Sequence, residues 1–112
     1  MRPPRLTRML ALESPRPMPD GMGGRRELWE VLGTLHADVR ARTGREKAFA
    51  AGALSDTGYR ITVRAAPAGS PQRPVPGQRL RDGERRFRIE AVTEADAAGR
   101  YLICFANEEV AP

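Results

Sequence analysis

The sequence predicts a mainly β protein, a small antiparallel β-barrel or sandwich with one short α-helix and long loops. Apolar residues recur with period two in several runs, the mark of strands with one buried face. An Asp82-Gly83 pair separates two such runs and reads as a hairpin turn. The stretches between runs are rich in Pro and Gly. With 112 residues, the chain fits a single domain spanning 1–112.

In chain order, Leu6 to Leu12 forms a first short strand. Ser14–Arg26 holds Pro15, Pro17 and Pro19 with an Asp20-Gly21 turn, and its composition predicts an irregular loop. Leu35, Ala37, Val39 and Ala41 alternate with His36, Asp38 and Arg40, one face to a core and one to water. Gly44 to Leu54 is the helical candidate, with Thr43 as N-cap and Glu46 three residues on. Ser55-Asp56-Thr57-Gly58 turns into a strand whose Tyr59, Ile61 and Val63 face inward. Pro67–Gly77, with Arg73 as its one charge, predicts an extended surface loop. Gln78–Arg81 and Arg85–Val92 flank the hairpin turn, with Phe87, Ile89 and Ala91 inward. Tyr101 to Ala106 is apolar on both faces, as for a strand covered by a sheet on one side and a neighbour on the other.

The charge and residue inventory excludes several function classes. Net charge is +5, with Lys47 the only lysine; such a balance tolerates polyanions without demanding one. The single cysteine, Cys104, allows no intramolecular disulfide and fits a reducing site of assembly. In the most apolar run it reads as a small buried hydrophobe. The basic amino terminus is too short and polar for a signal sequence, and no stretch approaches the ~20 apolar residues of a membrane span. His36, the only histidine, lies at an outward position with no nucleophile at a recognisable spacing. Gly21-Met22-Gly23-Gly24 lacks the lysine and the strand-to-helix setting of a phosphate-binding loop. Catalytic residues, cofactor and metal ligands are therefore all expected to be absent.

The order of these elements resembles the phage head-tail joining family, the head-closure or stopper proteins of long-tailed phages and gene transfer agents. The resemblance is carried by Leu6–Leu12, Asp20–Gly24, Trp29-Glu30-Val31, Leu35–Ala41 and Thr43-Gly44-Arg45-Glu46 in the first half. In the second half it is carried by Tyr59-Arg60-Ile61-Thr62-Val63-Arg64, Pro76-Gly77-Gln78-Arg79-Leu80, Gly83, and Arg86-Phe87-Arg88-Ile89 with Val92. The proline-rich Ser14–Pro19 and Ala65-Ala66-Pro67 depart from the pattern.

That resemblance implies a structural protein of the virion or phage-like particle, assembled in the bacterial cytoplasm, and not an enzyme. It implies a homo-oligomeric ring, hexamer or dodecamer, at the head–tail interface between a portal-bound adaptor and the tail terminator or tube. The ring would close the DNA-filled capsid, dock the tail and open for DNA ejection, with no role at a membrane. It also implies that the helix-containing segment 42–58 projects toward the channel, where Arg42, Arg45 and Lys47 would touch packaged double-stranded DNA without sequence preference. Phe49 and Leu54 would pack that plug. Trp29, Tyr59, Ile61, Phe87, Ile89 and Phe105 are candidate core or interface anchors. Two other readings stay open: a basic nucleic-acid-binding barrel of the oligonucleotide-binding type, which needs exposed rings on one sheet face, and a tail-terminator subunit.

Overall fold

The computed structural model describes residues 3–42 and 58–109. Its strands are β1 (Arg8–Pro19), β2 (Arg25–Ala41), β3 (Gly58–Arg64), β4 (Arg79–Asp82), β5 (Arg85–Glu94) and β6 (Tyr101–Glu108). All neighbours are antiparallel, and the sheet closes in the order β1-β2-β3-β6-β5-β4, with β4 returning to β1. Closure pairs every barrel edge, which removes the exposed ladder of an open sheet. The predicted helix over Gly44–Leu54 and its Thr43 cap lie outside the described residues. No helix among the described residues is long and apolar enough to cross a membrane.

Period two places the core as the alternation predicts. Leu10 and Leu12, Ala37, Ile61 and Val63, Leu80, Phe87 and Ile89, and Leu102, Cys104 and Ala106 form one buried cluster. Each large member contributes roughly 1.5–3 kcal/mol relative to exposure. Burial also pushes the Cys104 thiol up to about 12. Gly83, with φ of 62°, and a Glu84 without positive φ make the two-residue turn joining β4 to β5, the arrangement that suits the twist of a hairpin.

The structure corrects the sequence reading in four places. Ser14–Arg26 is not an irregular loop: β1 runs to Pro19 and pairs with β2 from Arg25 onward. The prolines occupy alternate positions, so their missing N–H groups fall on the one edge of β1 that has no partner there, the placement strands tolerate. Ala91 does not face inward: Glu90 is passed over between the pairs Ile89↔Ala106 and Ala91↔Phe105. That bulge reverses the alternation, leaving Ala91 exposed and packing Val92 against the core. Phe105, a candidate core or interface anchor, is not a core residue: with Tyr101 it sits half-buried on the outer face of β6, because Leu102, Cys104 and Ala106 hold the inner one. Finally, Pro67–Gly77 is a chain of tight turns and not an extended loop: Ser70 N donates to Pro67 O, Arg73 N to Ser70 O, and Pro74 is fully buried.

Candidate functional site

The antiparallel register fixes which connections leave which end of the barrel. At one end lie the start of β1, the end of β2, the start of β3, the β4–β5 turn and the end of β6. The chain between Arg42 and Gly58 leaves there. At the other end β1 and β2 continue together beyond the barrel as a two-stranded arm, beside the 65–78 and 95–100 connections. At ~3.3 Å per residue, the 17-residue β2 has a contour length comparable to the molecule's 51 Å long axis. Arg42 and Gly58, the two ends of the intervening segment, therefore lie at the opposite end of the barrel from the arm.

The arm begins where Leu32 is passed over between the pairs Leu12↔Gly33 and Glu13↔Val31. Its tip closes on Asp20, whose Oδ1 accepts from the backbone N–H of Met22 (2.8 Å) and Gly24 (3.0 Å). Gly21 and Gly23 supply positive φ. Met18, Met22, Leu28 and Val31 stand exposed along it, apolar surface on a projecting hairpin.

A charged buttress holds the base of the arm. Glu13, 4% exposed, accepts from Arg79 Nε (2.6 Å) and Arg81 Nε (2.8 Å), and the Trp29 ring covers Arg79 with its centroid 4.0 Å from Cζ. Desolvation works to raise the Glu13 carboxyl, but the hydrogen bonds from Arg81 and Arg79 outweigh it and hold the group below the usual carboxylate range. This triad escaped the sequence reading. Its one local signal is Arg79 and Arg81 bracketing inward Leu80, and only the β1–β4 register shows that both meet Glu13.

At the opposite end, Arg42 N donates to Gly58 O (3.0 Å), closing the base of the intervening segment. The Arg42 guanidinium lies against Gly58, where a Cβ would come within 2.5 Å of Nε. Its Nη2 donates to Ala106 O (3.2 Å) and to Asn107 Oδ1. With 6% of the residue exposed, Arg42 is turned onto the barrel, not toward a channel as the sequence reading had it. Nearby, Arg85 makes a two-pronged pair with Glu108 (2.8 and 3.0 Å) and covers Tyr59 and Phe87, which meet edge to face at 5.1 Å. The Arg85 hydrogen bond lowers the Glu108 carboxyl despite some desolvation.

Comparison with known proteins gives this geometry its context. The sequence matches the phage head completion proteins over residues 1–109. The chain belongs to that family. This head completion protein is also similar to a component of the virion of a native gene transfer agent particle, at 46% identity and a TM-score of 0.75, covering 97% of this chain and 100% of that one. A second similar structure is protein SF1141 from Shigella flexneri 2a, in solution, at 22% identity and a TM-score of 0.73 over the full length of both chains; it shares the fold. No curated protein sequence matches. The head completion protein is thus a structural protein of the head–tail apparatus and not an enzyme.

Of the residues singled out in the sequence, Ile61, Phe87 and Ile89 lie in the core and Tyr59 packs on its edge. Trp29 is not a core residue of the head completion protein: it sits half-buried over Arg79, outside the barrel wall. Arg45, Lys47, Phe49 and Leu54 lie outside the described residues. Among the described residues Trp29, Tyr59, Tyr101 and Phe105 are half-buried and Phe87 is buried, and no group of carboxylates, histidines and cysteines could hold a metal.

Proposed function

We propose that this protein is a single-domain ring subunit of the particle neck, lying between the portal-bound adaptor and the tail terminator or tube, where it closes the DNA-filled head and docks the tail. The observation that carries this reading is the division of the barrel into two ends. Segment 42–58 leaves one end on a base clamped by Arg42, and the apolar-tipped arm leaves the other. A stopper needs such a division, because one side must meet the genome and the other a protein partner. The virion origin of the 46%-identical structure supports placing this chain in a particle.

In this reading the arm, with Met18, Met22 and Leu28, seats on a protein neighbour, since exposed apolar side chains on a projecting element gain from burial. Phe105 and Tyr101, half-buried on the outer wall, are available to a lateral neighbour in a ring of six or twelve, whose heterologous contacts close by rotation. Arg45 and Lys47 remain the candidates for touching the DNA end, with Phe49 and Leu54 packing their segment; Arg42 serves as its anchor.

Deleting the gene and scoring particles by negative-stain electron microscopy tests the proposal. The expected result is heads without tails that have lost their DNA, alongside finished free tails. Normal particles would overturn it.

A further inference from the structure

We infer that the outer face of the β4–β5 hairpin is a binding surface for the phosphate backbone of duplex DNA. Leu80 and Phe87 pair across the two strands and point into the core. Their neighbours therefore point outward in register, Arg79 opposite Arg88 and Arg81 opposite Arg86. Directly opposed side chains lie about 5 Å apart at Cβ, and alternate residues about 6.7 Å apart along a strand, so the four arginines spring from a two-by-two array of positions, with Arg79 drawn under Trp29 and Arg81, Arg86 and Arg88 reaching solvent. Like charges placed directly opposite destabilise a sheet. Within the chain the array is answered by one buried carboxylate, Glu13, which is spent on Arg79 and Arg81. Arg86 and Arg88 are exposed and make no ion pair or side-chain hydrogen bond with the described residues. Glu90, next on that face, is engaged by Asn107 (3.5 Å).

The composition of the face selects the partner. Protein–protein interfaces use arginine as isolated anchors among apolar and aromatic residues, whereas between Arg79 and Arg88 these two strands present only arginine outward. Interfaces with DNA are polar and strongly positive, and arginine's fork suits phosphate oxygens. Single strands need several rings for stacking, and the outward positions of these two strands from Arg79 to Arg88 carry none; the one ring beside them, Trp29, is taken up over Arg79. A duplex read through its phosphates remains. The inference rests on the head-closure reading only for why DNA should be near.

Salt-dependent binding of the full-length protein to a labelled, mixed-sequence DNA duplex, followed by fluorescence anisotropy, tests the assignment. Each neutralised phosphate adds about 0.9 to the slope of log K against log salt, so the R86Q/R88Q variant should flatten that slope by about 1.8 while its melting temperature holds or rises as repulsion is relieved. R25Q/R26Q, which removes equal charge from the arm, should leave the slope nearly unchanged. No binding by the wild-type chain, an equal loss in both variants, or displacement of DNA by polyglutamate as effective as by unlabelled duplex would overturn it, the last pointing to an acidic protein instead. These outcomes are independent of the gene-deletion phenotype: a flat salt slope leaves head closure standing, and normal particles after deletion leave the slope unexplained but intact.

Discussion

Replacing Glu13 with Gln keeps the shape of the buttress and removes its charge, which isolates the electrostatic contribution. The side chains of Glu13 and Arg79 are 5% and 11% exposed, and that of Arg81 is 37% exposed. A hydrogen bond to a charged group contributes about 1.5–3 kcal/mol, and the Arg79 pair, the buried one, falls in that range. The more exposed Arg81 pair is screened and counts for about 0–1 kcal/mol. An amide oxygen still accepts from one arginine but turns its NH2 toward the other, leaving Arg79 buried without a carboxylate. The net cost should be about 2–3 kcal/mol at neutral pH, below the ~3–5 kcal/mol of breaking a fully buried pair. For a domain of this size that lowers Tm by roughly 10–15 °C. Urea unfolding followed by Trp29 fluorescence reads it directly, since Trp29 is the only tryptophan and covers Arg79. The pH dependence supplies a second readout. The Glu13 carboxyl is lowered in the fold, so its stabilisation is present above the ordinary value of 4.5 and is lost as pH falls through the lower folded value. Wild type and E13Q should therefore differ at neutral pH and converge in acid. A Gln variant within about 0.5 kcal/mol of wild type, or a gap independent of pH, would refute the buttress.

Gly58→Ala should cost about 1–3 kcal/mol, because the new Cβ meets Arg42 Nε and can be relieved only by breaking the guanidinium's bonds to Ala106 and Asn107. Adding Arg42→Ala should make the second change nearly free, a non-additivity that a double-mutant cycle measures and that additive losses would disprove. Restoring N–H groups on the arm with Pro15→Val, Pro17→Val and Pro19→Val should create a pairing edge and drive association at rising concentration, visible by size-exclusion chromatography; an unchanged elution volume would refute the blunting role. Cys104 should resist thiol reagents at pH 8 in the folded chain and react fully on unfolding, since burial holds the group protonated; rapid native labelling would contradict the packing.

How much was legible in the sequence varies along the chain with how far each feature depends on a partner. Ile61 and Val63, Phe87 and Ile89, and the turn at Gly83 were readable because alternation and turn chemistry are local properties of the strand itself. The same order of strands and turns sufficed for the resemblance that the family match bears out. Bulges are not local: one residue passed over at Leu32 or Glu90 reverses which side chains face inward, and nothing in Ile89-Glu90-Ala91 announces it. The arm was misread because composition counts prolines, whereas the sheet cares only on which edge their missing N–H groups fall.

Arg42 and Glu13 show the same limit in charge. By itself the sequence determined a basic, β-patterned chain with few aromatics and the strands that build its core. Only the tertiary structure decided that Arg42 folds over Gly58 onto the end of β6, that Glu13 is spent on two arginines some 66 and 68 residues away, and that no carboxylate among the described residues pairs with Arg86 and Arg88. The physical reason is that burial and pairing of a charge are set by strand register, which joins residues distant in the chain, while composition and periodicity record only what each strand carries.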